Sequence, residues 1–88
     1  MSNKVTINVT AKNIAKGVRG RCSFCPVSYG MRDAGLRRPY ASFSGLSWMD
    51  DDGMEVEAPI PQICKAFMEM FDRGDKVSPI SFPIEIPA

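Results

Sequence analysis

The sequence predicts a small α+β domain with the element order β-α-α-β-β-α-β, in which helices pack on one face of a largely antiparallel sheet. Two patterns support this class. Apolar and polar residues alternate near both ends of the chain, as in half-buried strands, and an apolar stripe at helical spacing follows Pro61. The chain has 88 residues, 44% of them hydrophobic, which is enough for one core of modest size. We therefore expect residues 1–88 to form a single domain.

The first part of the chain predicts one strand and two short helices. The strand has apolar side chains at alternate positions, namely Val5, Ile7 and Val9. Thr10 suits a helix N-cap and Gly17 the position after a helix end, so we predict a helix over residues 11–16. Pro26 suits the first position of a second helix, which Gly35 would end. The residues expected on its buried face are Val27, Met31 and Ala34.

The middle of the chain predicts a hairpin. Tyr40 to Met49 has the composition of one strand, but its apolar residues change parity halfway. A bulge at Gly45 would restore a single apolar face, so we predict a bulged strand. Asp50 to Gly53, read as DDDG, predicts a turn. The return strand then alternates apolar and acidic residues: Met54, Glu55, Val56, Glu57 and Ala58.

The last part predicts the longest helix and an edge strand. The helix runs from Pro61 to Arg73, with an apolar stripe formed by Ile60, Ile63, Cys64, Phe67, Met70 and Phe71. The final strand alternates Ile80, Phe82, Ile84 and Ile86 with residues that include Pro79, Pro83 and Pro87. Because these prolines share one parity and lack an N–H, one side of this strand cannot be fully paired.

The charge is unevenly distributed along the chain. Residues 1–40 hold eight basic residues and one acidic residue, whereas residues 41–88 hold three basic and nine acidic residues. Such an asymmetry indicates either a binding surface for a charged partner or attraction between the two halves. No apolar run has the roughly 20 residues of a membrane span, and the N-terminus lacks a signal peptide's apolar segment. We expect a cytoplasmic protein with no membrane contact.

Cys22 and Cys25 form a C-x-x-C pair before the second helix, and Cys64 lies in the third. An odd number of cysteines favours reduced thiols over a disulfide framework. A zinc-stabilised domain would need all three, with a carboxylate from Asp50, Asp51 or Asp52 as fourth ligand, because the chain has no histidine. Redox chemistry is the second alternative, since a helix N-terminus and nearby arginines favour a thiolate. The third, which we favour, is that the cysteines pack as small apolar side chains, with no cofactor.

Two charged sets are candidate binding faces. The basic face comprises Arg19, Arg21, Arg32, Arg37 and Arg38. Guanidinium groups at a helix N-terminus can bind phosphate, and the interleaved Phe24, Tyr29 and Tyr40 could stack on bases. The acidic face comprises Asp50, Asp51, Asp52, Glu55 and Glu57. Either set could instead be a solvated surface, pairing in part with the other.

Enzymatic activity is not expected. Without histidine, neither a Ser-His-Asp nor a Cys-His arrangement can form. The GVRGR segment lacks the spacing of a phosphate-binding loop, and DDDG lacks the alternating ligands and distal glutamate of a calcium loop.

The segment I-x-x-G-x-R-x-x-C-x-x-C-P-V resembles one found in small phage and prophage proteins. It is formed here by Ile14, Gly17, Arg19, Cys22, Cys25, Pro26 and Val27. A later string is similar to the end of the same proteins: Phe71, Asp72, Gly74, Val77, Pro79 and Phe82. Together the two strings span 26 of the 88 residues. The family has no established activity, so the resemblance implies a setting, a bacteriophage or mobile-element protein in a bacterial cytoplasm, and no site residues.

These observations lead to a ranked set of functions. The first is a non-enzymatic accessory protein that binds a host protein and inhibits a host process or defence system. Its acidic face would mimic nucleic acid toward a nucleic-acid-binding protein. The second is a nucleic-acid-binding module that uses the basic face, and the third is the zinc-stabilised domain. The exposed strand edge permits either a monomer or a homodimer.

Overall fold

The fold is that of an α+β domain, as predicted, built from three helices and five strands. The structure is a computed structural model and describes residues 3–86. The elements in chain order are β1 (Asn3–Val9), α1 (Ala11–Lys16), α2 (Pro26–Asp33), β2 (Arg37–Ser42), β3 (Gly45–Met49), β4 (Glu55–Ala58), α3 (Gln62–Asp72) and β5 (Ile80–Ile86). The order is therefore β-α-α-β-β-β-α-β, with one strand more than the sequence pattern predicted.

The strands form two antiparallel sheets. One pairs β1 with β5, and the other has the order β2-β3-β4. In the first sheet Val5 faces Ile84 and Ile7 faces Phe82, so the two apolar rows lie on the same face. Helix α2 packs against both β1 and β2, and α3 packs against β5. The core therefore lies between the helices and the inner faces of both sheets.

The predicted bulged strand from Tyr40 to Met49 is wrong, because the chain reverses direction at residues 43–44. Ala41 of β2 faces Leu46 of β3 across a hairpin, which places both side chains on one face without a bulge at Gly45. The Ser42 hydroxyl stabilises the turn, since it donates to the Gly45 carbonyl at 3.2 Å and accepts from the Ser44 N–H at 3.3 Å. The irregularity of the pairing lies instead between Arg37 and Tyr40.

Helix α1 begins as predicted, and its first turn also holds α2. The Thr10 hydroxyl accepts from the Asn13 N–H at 3.2 Å, and Asn13 Oδ1 accepts from the Thr10 N–H at 2.9 Å. This reciprocal pair is a capping box. Asn13 is buried, and its Nδ2 donates to Asp33 Oδ2 at 2.9 Å. One side chain thus caps α1 and joins it to the end of α2.

Two glycines allow segments of backbone to approach closely. A Cβ on Gly30, in the middle of α2, would lie 2.9 Å from the Asn8 carbonyl oxygen. A Cβ on Gly17 would clash with the Pro26 ring. Gly17 occupies the C-cap as predicted, but with φ of −63°, so its role is close packing and not a left-handed conformation.

The buried face of α3 is narrower than the predicted stripe. Cys64, Phe67 and Phe71 are buried as expected, and Met68 joins them. Ile63 and Met70 are instead 50% and 38% exposed. In α2, Val27 and Met31 are buried, whereas Ala34 is exposed because the helix ends at Asp33. The buried face of α3 is thus formed by residues at helical spacing, Cys64, Phe67, Met68 and Phe71.

Strand β5 is an edge strand, as the proline pattern predicted. Within residues 3–86 it pairs with β1 alone. Pro83 lies inside the strand opposite Thr6, and Pro79 directly precedes it. The third proline of the pattern, Pro87, lies outside the described residues. Because Pro83 has no N–H, the ladder toward any further strand is interrupted at its centre.

Candidate functional site

The loop before α2 that contains Cys22 and Cys25, which we call the cysteine loop, is anchored in part through the carbonyl group of Cys22. Cys25 is the N-cap residue of α2 and is buried, as the packing alternative requires. The Cys22 carbonyl accepts from the Ala41 N–H at 3.0 Å and also from the Ser28 hydroxyl. The loop therefore bridges β2 and α2, and these hydrogen bonds fix the positions of the two cysteines.

The third cysteine is an inert thiol inside α3. Cys64 is fully buried, and its Sγ donates to Met68 Sδ at 3.9 Å. Burial, with a smaller contribution from Cys25, raises the pKa of Cys64 to about 12. No group of three or more Cys, Asp or Glu side chains within residues 3–86 is placed to hold a metal ion. The zinc alternative thus has no ligand set in that part of the chain.

The five arginines of the predicted basic face fall into three groups with different neighbours. Arg19 lies at the end of α3, where its Nε donates to the Phe71 carbonyl at 3.1 Å. Arg21 lines a cavity whose lining also includes Asp72. Arg32 lies on α2, with its guanidinium 5.9 Å from the centroid of the Tyr29 ring.

The remaining two arginines lie among the acidic residues. Arg37 and Arg38, at the start of β2, line a hollow together with the turn from Asp50 to Gly53. The predicted separation into a basic face and an acidic face therefore does not hold for this pair. The predicted turn itself is confirmed, since the Gly53 N–H donates to the Asp50 carbonyl at 3.0 Å.

Asp50 differs from the other acidic residues because its carboxylate supports the turn. Its Oδ1 accepts from the N–H groups of Asp52 and Met54, both at 2.9 Å. Asp51 and Asp52 are exposed, as are Glu55 and Glu57 of β4. Strand alternation places Glu55 and Glu57 on the outer face of the three-stranded sheet, as predicted.

The outer face of this sheet forms an open hollow of about 550 Å³, which we call the acidic hollow. Its exposed or half-buried polar lining consists of Tyr40, Ser42, Ser44, Ser47, Glu55 and Glu57. Sequence reasoning singled out the glutamates but missed the serines. The alternation of Tyr40 with Ser42 indicates that Ser42 shares a sheet face with Tyr40. This pattern can be read only if β2 and β3 are taken as separate strands. Tyr40 also borders Cys22, and hydrogen bonding with Cys22 is the main cause that raises the pKa of Tyr40.

A second, smaller cavity lies on the other side of the β2–β3 hairpin tip, and we call it the apolar pocket. It has a volume of about 200 Å³. The principal walls are Pro26, Ala41, Phe43, Phe67, Met68 and Phe71, and Cys22 and Cys25 contribute as well. Arg21 and Asp72 are the charged residues among its lining. Ser42 lines both the apolar pocket and the acidic hollow.

The charges around the acidic hollow are unbalanced. The hollow and the adjoining turn carry five carboxylates, and their basic neighbours are Arg37 and Arg38. In the part of the chain that the structure describes, the ion pair present is that of Arg73 with Asp75, at 2.9 Å, away from this face. The acidic hollow therefore presents unpaired negative charge to solvent.

Comparisons with known proteins give no relative: neither a family model, nor a curated protein, nor a solved structure matches this chain. None of the helices within residues 3–86 is long and apolar enough to span a bilayer.

Proposed function

We propose that this chain is a non-enzymatic protein-binding module whose contact surface is the acidic hollow. The observation that carries the proposal is the unpaired pair of carboxylates, Glu55 and Glu57, beside Tyr40 on one sheet face. Carboxylates, serine hydroxyls and an aromatic ring together suit a basic protein surface, because they offer charge, hydrogen bonds and stacking in one place. The partner is therefore a protein that carries exposed lysine and arginine.

The resemblance of the Ile14–Val27 segment to small phage and prophage proteins supports a biological setting for this activity. In that setting the chain acts in a bacterial cytoplasm and binds a host protein. A host nucleic-acid-binding protein has the required basic surface, which the acidic hollow would occupy in place of nucleic acid. The consequence would be inhibition of the host process, including a defence process, that depends on that surface.

The test is capture of partners from a bacterial lysate, with and without nuclease, followed by identification of the bound protein. The variant Glu55→Gln/Glu57→Gln removes two negative charges from the hollow and leaves Asp50, which holds the turn, intact. Glu69→Lys is the matched control, since it changes net charge by the same amount on the exposed side of α3. A stoichiometric protein retained by the control and lost by the double variant supports the proposal. Equal retention by both variants contradicts it.

Nucleic-acid binding remains a second candidate because of one local arrangement. Lys16 Nζ and the Arg32 guanidinium lie 5.2 Å and 5.9 Å from the Tyr29 ring centroid, which forms a small basic and aromatic patch. This candidate predicts capture that disappears with nuclease, and affinity that falls steeply with salt because each neutralised phosphate releases counterions. Arg32→Ala would then weaken binding, whereas the double glutamine variant would not.

A further inference from the structure

The apolar pocket and the acidic hollow lie on opposite faces of the β2–β3 hairpin and meet at its tip. Ser42, in β2 next to the turn, forms part of both linings. A bound chain that lies in the acidic hollow can therefore reach the apolar pocket by passing around this tip. An extended chain suits that path, because each residue advances it by about 3.3 Å.

The size and chemistry of the pocket restrict what it can hold. Its volume of about 200 Å³ is below the roughly 300 Å³ at which sites for drug-sized ligands and cofactors begin. A cavity of roughly 150 Å³ lined by apolar side chains is large enough for a benzene ring. Phe67, Met68 and Phe71 provide such a lining here. The pocket thus suits a single large aliphatic or aromatic side chain.

The exposed aromatic residue beside the pocket is not explained by the fold. Phe43 lies in the hairpin turn, lines the pocket and is 44% exposed. Turn positions favour small polar residues, whereas the phenylalanine here leaves part of its apolar surface in water. It would be covered if a second apolar group entered the pocket. Aromatic residues at the edge of a small pocket are typical of binding hot spots.

We infer that the apolar pocket receives one large apolar side chain of the same basic segment whose lysines or arginines occupy the acidic hollow. The inference rests on the proposed function and adds the nature of the segment: basic residues followed or preceded, within a few positions, by a leucine-like or phenylalanine-like anchor. Charge complementarity with Glu55 and Glu57 selects the segment, and the anchor sets its register. The unbalanced carboxylates around the hollow are the reason for assigning a basic occupant.

The inference is tested by selection from a displayed library of random dodecapeptides on the immobilised protein. Three variants are screened in parallel: Glu55→Gln/Glu57→Gln, Phe43→Asp, and the matched control Phe24→Asp. Phe24 is also an exposed phenylalanine, at 42%, but it does not line the pocket. The wild type and the control should enrich basic peptides with an apolar residue at a fixed position. Phe43→Asp should enrich basic peptides without that position, and the double glutamine variant should lose the preference for basic residues.

The peptides also give a quantitative test. Replacing the apolar anchor by serine in a synthetic consensus peptide should weaken binding to the wild type by about tenfold or more, as expected of a hot spot, and should have little effect with Phe43→Asp. If the wild type enriches basic peptides that have no apolar residue at a fixed position, the inference is overturned and the proposed function is unaffected. Enrichment without basic residues, or no enrichment, would overturn both. Concentration-dependent dimerisation lost in Phe43→Asp and kept in Phe24→Asp would assign the pocket to a second copy and overturn the inference.

Discussion

Arg19 joins the loop before α2 to the end of α3 through a single partner, Phe71. Its Nε donates to the Phe71 carbonyl at 3.1 Å, and its guanidinium lies 5.9 Å from the centroid of the Phe71 ring. The Phe71 carbonyl also accepts from the Gly74 N–H at 3.0 Å, so Arg19 adds a second, charged donor to it. A cation at a helix C-terminus also interacts favourably with the helix dipole. Arg19 was predicted as part of a binding face, but these contacts give it a structural role.

We therefore expect Arg19→Ala to lower the free energy of unfolding by about 1–2 kcal/mol, the range for a hydrogen bond from a charged group at a partly exposed site. Urea unfolding followed by tryptophan fluorescence measures the change, because Trp48 is buried. Arg73→Ala is the control. Arg73 and Asp75 form an exposed ion pair, and such pairs contribute about 0–1 kcal/mol. An equal effect of the two substitutions would contradict the structural role of Arg19.

Gly30→Ala should destabilise the protein although it improves the local helix propensity. The new Cβ would lie 2.9 Å from the Asn8 carbonyl oxygen, so α2 and β1 would have to move apart. Overpacking of this kind costs about 1–3 kcal/mol, whereas the gain in helix propensity is about 1 kcal/mol. The cost exceeds the gain when the backbone cannot relax. The comparison is Gly20→Ala, where no atom lies within 4 Å and the expected cost of about 1–2 kcal/mol comes from the left-handed backbone, with φ of +73°. Thermal unfolding should show a loss for both variants, and a stabilised Gly30→Ala protein would refute the close packing.

The contact between Asn13 and Asp33 should behave as a coupled pair. Asn13→Asp removes the donor and places a second carboxylate near Asp33, so it should lower the free energy of unfolding by about 2 kcal/mol at neutral pH. In the double variant Asn13→Asp/Asp33→Asn, the amide donor is at position 33 and the carboxylate acceptor is at position 13, so the hydrogen bond can form with the roles exchanged. It should recover more than half of the loss. A double-mutant cycle in urea measures the coupling, and additive effects would show that the hydrogen bond contributes nothing.

The raised pKa of Cys64 predicts a loss of stability in alkaline solution. In the unfolded chain this thiol ionises near its ordinary value of 9.0, whereas in the folded protein it keeps its proton up to about pH 12. The unfolded state then binds fewer protons, so between these values the free energy of unfolding falls as pH rises, by up to about 1.4 kcal/mol per pH unit. Below about pH 8 the stabilisation is fully present.

This pH dependence is measured by urea unfolding of the wild type and of Cys64→Ala at about pH 8 and about pH 10. Cys64→Ala is less stable than the wild type at both pH values because it leaves a cavity. Between the two pH values, however, its free energy of unfolding should fall by about 1 kcal/mol less than that of the wild type. Val9→Ala serves as the control, because it leaves a cavity at a buried position without an ionisable group, and it should keep the wild-type slope. A parallel slope for wild type and Cys64→Ala would show that Cys64 does not remain protonated.

Thiol labelling should distinguish the three cysteines in the folded state. Cys22 is partly exposed, whereas Cys25 and Cys64 are buried. A thiol reagent at neutral pH should therefore modify Cys22 first, and the other two only after urea is added. The modified peptides identify the sites by mass. Rapid labelling of Cys64 in the native protein would contradict its placement inside α3.

The features that could be predicted from the sequence are those with a local cause. The Thr10 cap, the start of α2 at Pro26 and the exposed pair Glu55 and Glu57 each follow from a rule that acts within one element. The turn after Ser42 was missed because its signal is a serine hydroxyl, which is weaker than the Asp-Gly signal of the next turn.

The arrangement of the arginines and the apolar pocket depended on contacts between distant segments. Arg19 and Phe71 are 52 positions apart, and nothing in either local sequence brings them together. The walls of the apolar pocket likewise come from the cysteine loop, the β2–β3 hairpin and α3. Proximity along the chain grouped the five arginines in the prediction, whereas the tertiary fold distributes them among three sets of neighbours.

The pairing of β1 with β5 has a consequence for the synthesis of the protein. Ile7 and Val9 are synthesised 75 and 71 residues before their respective partners, Phe82 and Ile80. At about 5–20 residues per second, the first strand waits several seconds before its partner exists. During that interval α2 can cover one face of β1, whereas its pairing edge stays open. The β1–β5 sheet therefore forms late in synthesis, and a truncation before residue 80 would leave β1 without the strand that completes its sheet.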